Sequence, residues 1–529
     1  MALPASRRTL VLALDAFEPT VARELAAEGR MPAFKRLVER SARFDLDHPT
    51  LERYTGLAWH QFSTGLRPQV SGRWSAVRTF PGNYDVEQSQ GHEPPFVANL
   101  GIRTVTFDVP HFNLAAAPDL LGVANWGCHD AAVPRATRPG ELESEIAARF
   151  GEYPAQEHVY GIVWGDPGKT ADMGRDLARA VDMRSEIARW LLSSRLPEWD
   201  LAIVAIGEFH SVIETMWHGW DETHLLHNAP SAPNARAALI AVYETGDRMI
   251  GELMDAFPDV TFLAFAPHGM GANNNDVAGM ILMAELMYRY SFGRPAFMPG
   301  FALDPQSGTD EHYLDAWSNW VNGKLAFPKD EAPTRGWNPF HRDIAPARLK
   351  PNPELDWMPT ALYRRDWSRM KAFAVPAYHD ARIRVNLKGR ERSGVIALAD
   401  YRRTLDEIAD IIRACAELPS GKPVDVEIEF TGPDDPMALN DWQTDIVVRY
   451  GHNTLGFLHP SLGPIGPVPH RRTGGHTGGY GIALVSGGAV VPGDYGVAST
   501  LDLAPAVIDL VLARQAQSPL VHAFQKRSV

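Results

Sequence analysis

Short apolar runs recur along the chain and predict buried β-strands. They are TLVLAL (9–14), TVTF (104–107), LAIVAI (201–206), TFLAFA (261–266), DIVVRY (445–450) and GIALVSG (481–487). Amphipathic patterns of helical length lie between them, among them LARAVDMRSEIARWLLSSR and LADYRRTLDEIADIIRAC. Continuous apolar strands that alternate with helices are typical of a parallel sheet covered on both faces. The pattern therefore predicts an α/β fold, a three-layer sandwich with a mainly parallel central sheet.

One segment interrupts this alternation. Residues 286–370 are rich in Trp, Pro, Arg, Asp and Asn and show no regular period. We interpret the segment as an insertion on an α/β core formed by residues 1–285 and 371–529. It is either an irregular surface excursion or a lid or pocket wall, since long loops of α/β enzymes often shape the site.

Composition and charge narrow the class of protein. The 529 residues are 45% hydrophobic and 22% charged, as in ordinary soluble globular proteins. The net charge of -13 disfavours non-specific binding to a nucleic acid polymer, and it is compatible with a small anionic substrate held by a metal. Cys128 and Cys415 are too few for a disulfide framework or a cysteine zinc site.

The apolar runs also bear on localisation. The first of them is too short for the core of a signal peptide, and no stretch approaches the roughly 20 apolar residues of a membrane span. The expectation is a cytoplasmic protein with no membrane partner. The oligomeric state is not readable from the sequence.

Carboxylates and histidines stand where the predicted strands end. Asp15 follows the first strand, Glu208 and His210 follow LAIVAI, His268 follows TFLAFA, and His476 directly precedes the last strand. Ligands of such sheets bind at the carboxyl ends of the strands, and these residue types are metal ligands. One such residue alone is more often a cap or a turn residue, but the set predicts a site.

The stretch EFHSVIETMWH (208–218) adds Glu214 and His218, each four residues after the preceding candidate, whereas Glu208 and His210 are two residues apart. This spacing suits metal ligands on one helix face. It is equally common on the solvated face of an ordinary helix, and the stretch alone leaves both interpretations open.

Thr55 precedes a short helical run in HPTLERYTGLAWHQFSTGLRPQVSG. A hydroxyl at a helix start lies beside backbone N–H donors that can hold an anion. The simpler interpretation is that Thr55 only caps the helix.

Together, these segments resemble the alkaline phosphatase superfamily and, within it, the type I phosphodiesterase/nucleotide pyrophosphatase branch. TGLAWHQFSTGLRPQVSG resembles the nucleophile segment of that branch, HGMG its metal motif and GGHTGGYG its late Gly-x-His motif. ARIRVNLKGRERSGVI and DLAPAVIDLVL resemble two further stretches of the branch. The resemblance implies an alkaline-phosphatase-like fold and a hydrolase of phosphodiester or pyrophosphate bonds, acting on a small phosphate ester or nucleotide-like substrate.

The same resemblance assigns roles to residues. It makes Thr55 the nucleophile of a covalent phosphothreonine intermediate, formed beside one or two divalent metal ions. Zinc is the expected ion, and a shell that contains glutamate also suits manganese or iron. One ion would be held by Asp15, Thr55 and His268, since Pro267 replaces the aspartate that usually precedes this histidine.

The second ion of the resemblance would be held by His210, Glu214 and His476. The usual order is an aspartate followed four residues later by a histidine, so the two ligand types are exchanged here. Both remain competent donors, and their summed charge is unchanged.

The loss of a ligand at Pro267 leaves two outcomes open. Either Glu208 or a residue of the GANNND run, such as Asn274, replaces the carboxylate, or this first metal position is weak or empty. His60 and Arg53 lie close to Thr55 in sequence and are candidates for contacting phosphoryl oxygens. They and His218 are otherwise solvated, capping or pocket-wall residues.

Two alternatives to a hydrolase of phosphodiester or pyrophosphate bonds stay open, because the chain departs from the family pattern at the exchanged ligands and at Pro267. The same scaffold can act on a phosphonate, a phosphomonoester or a sulfate ester, although sulfatases of the superfamily use a residue made from Cys or Ser rather than Thr. The other alternative is a non-hydrolytic relative that binds an anionic ligand through an eroded metal site.

Overall fold

The computed structural model describes most of the chain. The described residues are 8–48, 57–88, 93–127, 133–158, 167–296, 355, 358–418, 420–466, 468, 472–488, 490–512, 518 and 520–522. Thr55 and Arg53 lie outside them, as does most of the predicted insertion.

The helices and strands are numbered separately in chain order. The helices are α1 (Pro19–Ala27), α2 (Pro32–Glu39), α3 (Ala58–Thr64), α4 (Pro68–Ser71), α5 (Leu142–Phe150), α6 (Pro167–Trp190), α7 (Glu208–Trp220), α8 (Ala232–Ala256), α9 (Met283–Phe292), α10 (Arg364–Trp367), α11 (Tyr401–Arg413) and α12 (Leu503–Leu512). Short π-helical segments, Leu191–Arg195 and Ala278–Leu282, adjoin α6 and α9.

The strands are β1 (Thr9–Leu14), β2 (Ala42–Asp47), β3 (Val77–Phe80), β4 (Asp85–Gln88), β5 (Thr104–Phe107), β6 (Leu121–Ala124), β7 (Ala136–Arg138), β8 (Leu201–Ile206), β9 (Thr261–Ala266), β10 (Gly271–Ala272), β11 (Ala372–Val375), β12 (Ala381–Val385), β13 (Ala416–Glu417), β14 (Val426–Phe430), β15 (Ile446–Tyr450), β16 (Phe457–His459), β17 (Gly463–Ile465), β18 (Gly474–Gly475), β19 (Gly481–Ser486) and β20 (Gly493–Ser499).

A large mixed sheet forms the centre of the described structure. Its nine strands run in the order β20-β2-β19-β9-β1-β8-β5-β6-β7. The pairs β9-β1, β1-β8, β8-β5, β5-β6 and β2-β20 are parallel, whereas β19 runs antiparallel to both of its neighbours and β7 antiparallel to β6. The predicted mainly parallel central sheet is therefore confirmed.

Helices cover both faces of this sheet because the strands are apolar on both sides. Leu10, Leu12 and Leu14 of β1 belong to one buried cluster, together with residues of α1, α2, α6, α7 and α8. Val11 and Ala13, which alternate with them, belong to a second cluster with residues of α3 and α12. Successive side chains of a strand point to opposite faces, so this division is that of a three-layer sandwich.

A further apolar cluster surrounds a smaller antiparallel sheet, whose strand order is β11-β12-β15-β14. The run DIVVRY, predicted as a buried strand, forms β15 of this sheet rather than a strand of the central one. An apolar run shows that a strand is buried but not which sheet it joins. The division into a core and an insertion at 286–370 stays a prediction, since residues 297–354 are outside the described part.

Strand order determines where the polar strand ends meet. β9, β1 and β8 are adjacent and parallel, with Leu14 opposite Ile206 and Ala13 opposite Phe265. β19 enters antiparallel beside β9, with Ile482 opposite Ala266. The residues after β1, β8 and β9 and those before β19 therefore share one edge of the sheet.

Among the described residues, none of the helices combines the length and the apolar character that crossing a membrane requires.

Candidate metal centre

Three of the predicted ligands meet at this edge of the sheet. His210 and Glu214 are one turn apart on α7, and the Nε2 atom of His210 lies 3.2 Å from Oε1 of Glu214. The Nε2 atom of His476 lies 3.1 Å from the same His210 nitrogen. In a tetrahedral zinc site with bonds of ~2.1 Å, neighbouring ligand atoms are about 3.4 Å apart. We refer to His210, Glu214 and His476 as the triad; its spacing fits one ion.

The packing of α7 directs the side chains of His210 and Glu214 toward the same side of the helix. Phe209, Val212 and Ile213 of α7 pack into the cluster beneath the sheet, which leaves His210 and Glu214 on the side of the helix that faces the strand ends. Both side chains are nevertheless buried, each with 9% of its surface exposed. A buried histidine and carboxylate require polar partners or an ion.

The glycines of the late motif let His476 reach α7. A Cβ atom on Gly474 would lie 2.1 Å from the carbonyl oxygen of Ile213, so only glycine fits in β18 at this point. The backbone N–H of Thr473 donates to the carbonyl of Glu214 at 2.9 Å. β18 also pairs with β10, next to the HGMG motif, so the two segments are joined beside the triad.

Asp15 lies behind His210. Its Oδ2 atom is 3.1 Å from Nδ1 of His210, and its Oδ1 atom accepts a hydrogen bond of 2.7 Å from the indole N–H of Trp59. A carboxylate on the outer nitrogen of a ligand histidine orients the ring and sets its tautomer. The structure thus brings Asp15 to the site as a partner of His210; its predicted role as a direct ligand stays a prediction.

His268 lies on the opposite side of His476. Its Nε2 atom is 3.2 Å from Nδ1 of His476, and its Nδ1 atom is 3.2 Å from the carbonyl oxygen of Gly269. Three imidazoles therefore form a continuous row from His210 through His476 to His268. Pro267 offers no side-chain donor to this row.

Among the histidines of the cluster, His210 and His476 have pKa values shifted in opposite directions. Burial lowers the pKa of His210, but the carboxylates of Glu214 and Asp15 outweigh it and raise the pKa to about 10. Burial, together with the neighbouring His379, His268 and His210, holds the pKa of His476 well below its usual range. One proton on His210 thus compensates the surrounding carboxylates, and a divalent ion at the triad would take its place.

Besides Trp59, two basic residues lie at the site although no sequence pattern predicted them. Arg472 donates from Nη1 to Oε2 of Glu214, the oxygen that does not face His210. The ring of His379 lies 4.2 Å, centroid to centroid, from the ring of His476. Burial lowers the pKa of His379 to about 3, with a further contribution from His268. The runs RRTGGH and YHDARIRV carry weak signals, since each places a basic residue next to a motif.

Glu208, considered as a substitute ligand, is engaged elsewhere. Its carboxylate accepts hydrogen bonds from Arg184, at 2.8 Å from Nη2, and from the hydroxyl of Tyr153 at 3.1 Å. Arg184 also pairs with Asp108 at 2.9 Å, and all three charged side chains are fully buried. Glu208 thus compensates a buried guanidinium, and its role as a substitute ligand beside Asp15 and His268 stays a prediction.

The remaining candidates also lie in separate surroundings. Asn274 donates to the carbonyl of Gly451 at 3.0 Å. His218 is buried, with Nε2 3.2 Å from the hydroxyl of Ser231 and Nδ1 3.4 Å from that of Thr473, and burial lowers its pKa to about 3.

His60 is buried on α3, where Nε2 lies 3.2 Å from Nη1 of Arg73 and 3.7 Å from Oε2 of Glu93. Burial lowers the pKa of His60. Whether it reaches a substrate bound at Thr55 stays a prediction, because Thr55 and Arg53 lie outside the described residues.

Comparison with known proteins identifies one family. The model of the family described as type I phosphodiesterase / nucleotide pyrophosphatase matches residues 9–434. No curated protein matches the chain.

Solved structures that resemble the chain include the following two. A phosphonoacetate hydrolase from Sinorhizobium meliloti 1021, in complex with phosphonoformate, is 14% identical with a TM-score of 0.46, and the match covers 96% of this chain and 97% of that one. Murine ectonucleotide pyrophosphatase / phosphodiesterase 5, an inactive form in complex with AMP, is 11% identical with a TM-score of 0.45, over 98% and 99% of the two chains.

Proposed function

Because the chain belongs to the type I phosphodiesterase/nucleotide pyrophosphatase family, we propose that this hydrolase cleaves phosphodiester or pyrophosphate bonds in a metal-dependent reaction with Thr55 as the nucleophile. The substrate is a small phosphate ester or nucleotide-like molecule. The convergence of His210, Glu214 and His476 supports the metal dependence, since their ligand atoms all lie within 4.8 Å of one another. Zinc is the preferred ion for two imidazoles and a carboxylate, and iron or manganese also suits this donor set.

The reaction would proceed in two displacements. The Thr55 oxygen attacks phosphorus while the bond to the leaving oxygen breaks, and that oxygen departs with a proton as an alcohol or a phosphate. Water then attacks the phosphorus bound to Thr55, which still carries the second ester group of the substrate, so that Thr55 regains its hydroxyl and a phosphomonoester is released. The triad would hold a divalent ion, which would supply electrostatic stabilisation of the phosphoryl oxygens.

The residues around the triad have separate tasks in this proposal. Asp15 keeps Nδ1 of His210 engaged, so that Nε2 points at the ion. Arg472 holds the outer oxygen of Glu214, which leaves Oε1 for the ion. His268 holds Nδ1 of His476 in the same way, at 3.2 Å. The three ligands are therefore preorganised before the substrate arrives.

Substitution of Thr55 tests the mechanism. We expect Thr55→Ala to lower turnover of a chromogenic phosphodiester by roughly 10³-fold or more, while bound metal, measured by elemental analysis, stays at the wild-type level. Thr55→Ser, which keeps a hydroxyl, should retain a measurable rate. Acid-quenched wild-type enzyme should carry, on Thr55, the phosphoryl group together with the ester group that the diester retains, as measured by mass spectrometry. Wild-type turnover in Thr55→Ala would rule out the covalent route.

A substrate panel defines the chemistry. Phosphodiester, pyrophosphate, phosphonate, phosphomonoester and sulfate ester substrates are compared under one metal loading. The proposal expects the diester or the pyrophosphate to have the highest kcat/KM. A metal-loaded protein that binds phosphate but hydrolyses none of them would instead be a non-hydrolytic relative.

A further inference from the structure

His379 lies beside the triad but is contributed by the smaller sheet. It is in the loop between β11 and β12, whose pairing ends at Val375 and Arg382. Its ring is tilted by 54° to that of His476, and the centroids are 4.2 Å apart. The second sheet therefore contributes an imidazole directly to the cluster at the edge of the central sheet.

Contacts outside the metal-site cluster fix the backbone of the loop next to His379. The carboxylate of the next residue, Asp380, accepts from Nε of Arg382 at 3.0 and 3.1 Å, and both side chains are buried. Arg382 also donates to the carbonyl of Trp74 at 3.0 Å. A Cβ atom on Gly279 would lie 2.7 Å from the carbonyl oxygen of Asp380, so the loop packs closely against the segment that precedes α9.

The ring nitrogens of His379 form no hydrogen bond with His476. Nδ1 of His476 faces His268 and Nε2 faces His210, so the contact between His379 and His476 is one of ring packing. Within the described part of the chain, the ring nitrogens of His379 have no hydrogen-bond partner. The side chain is only half-buried. A fixed imidazole beside an ion site, with its own polar atoms unengaged, is suited to contact a ligand.

We propose that His379 donates a hydrogen bond to an oxygen of the phosphoryl group bound at the triad. This inference rests on the proposed function, since it assigns a substrate contact to that site. An imidazole carries at least one N–H in either protonation state, and a donor held beside the triad would stabilise an oxygen of a phosphoryl group bound there. The residue binds the phosphoryl group and is not a ligand of the ion.

Two variants test this assignment. His379→Leu removes the donor, and His379→Gln keeps an N–H group at the end of a side chain of similar reach. His158→Gln, at a partly exposed histidine paired with Asp176, is the matched control. For each protein, bound metal is measured by elemental analysis, inorganic phosphate binding by calorimetry, and KM and kcat with the phosphodiester.

We expect His379→Leu to weaken phosphate binding and to raise KM, each by roughly tenfold, with bound metal unchanged. His379→Gln should recover a large part of both, and His158→Gln should match the wild type. Loss of bound metal in both His379 variants would make the residue a ligand and overturn the proposal. Unchanged phosphate affinity and KM in His379→Leu would overturn it as well.

The design separates this inference from the proposed function. Phosphate binding is measured at equilibrium and does not require hydrolysis. A wild-type protein that hydrolyses no diester would contradict the proposed function. The comparison of phosphate affinities would still decide the role of His379. If His379→Leu does not fold, phosphate affinity is measured in His379→Asn instead. The asparagine side chain is one bond shorter than that of glutamine and should not reach the phosphoryl group. A wild-type affinity in His379→Asn would contradict the proposed contact.

Discussion

The Nε2 atoms of His210 and His476 lie 3.1 Å apart, although 266 positions separate the two residues in the chain. Two imidazole nitrogens approach this closely when one of them carries a proton or when both bind the same ion. Glu214 presents Oε1 to the same His210 nitrogen at 3.2 Å, which completes three donors around one point. The pair thus marks the centre of the candidate site.

His476→Ala should abolish most metal binding at the triad. Two remaining donors are too few for a tight site, so we expect bound metal to fall at least tenfold after exposure to a chelator and turnover to fall at least ~100-fold. Elemental analysis and the diester assay measure both. The control is His522→Ala, at a histidine in the described C-terminal segment. Undiminished metal content in His476→Ala would place the ion elsewhere.

Arg472→Met should weaken metal binding without removing a ligand. The guanidinium holds the outer oxygen of Glu214, and partners of this kind typically change metal affinity 10- to 100-fold. We expect roughly tenfold weaker binding in competition with a chromogenic chelator, and a smaller loss in Arg472→Lys. Wild-type affinity in Arg472→Met would show that Glu214 needs no second partner.

Arg184→Met should destabilise the fold, because it leaves Glu208 and Asp108 buried without their common partner. Removal of one member of a buried ion pair costs about 3–5 kcal/mol. Urea denaturation should show this loss. Arg248→Met, which breaks the exposed pair with Asp182, is the matched control and should change stability far less. Equal effects of the two variants would contradict the structural role of the buried group.

The free energy of unfolding should decrease as the pH is lowered below about 6.5, in part because of His218. Burial, and then His224, lowers its pKa to about 3, so between pH 3 and 6.5 the unfolded chain binds a proton that the folded chain does not. The contribution is fully present above pH 6.5 and is lost as the pH falls, by up to about 1.4 kcal/mol per pH unit. In urea titrations between pH 7 and pH 4.5, His218→Gln should show a shallower decline than the wild type. An identical decline would contradict this assignment.

Much of the site could be predicted because its residues stand at strand ends. β1, β8, β9 and β19 were all recognisable as apolar runs, and parallel neighbours place their carboxyl ends together. Asp15, His210, His268 and His476 therefore lie close together at this edge, and their roles as metal ligands stay predictions. β2 and β20 were not predicted, because neither is a continuous apolar run. β2 alternates between buried positions and partly or fully exposed ones, and β20 has no fully buried residue.

The sequence did not predict which side chains from distant segments contact the residues of the site. Whether a buried carboxylate faces an ion or a guanidinium depends on packing between distant segments, and no local pattern distinguishes Glu214 from Glu208. Trp59, Arg472 and His379 enter the site only because α3, the glycine-rich loop and the smaller sheet converge there.

The sequence by itself determined the strand and helix alternation, the central parallel sheet and the residue types at its edge, since these follow from local periodicity and chain order. The resemblance of its motifs also grouped His210 and Glu214 with His476. Only the tertiary structure decided that Asp15 contacts His210, that Glu208 compensates Arg184, and that the smaller sheet places His379 at the site. Such choices depend on which buried charges face one another, and that is settled by packing between segments remote in the chain.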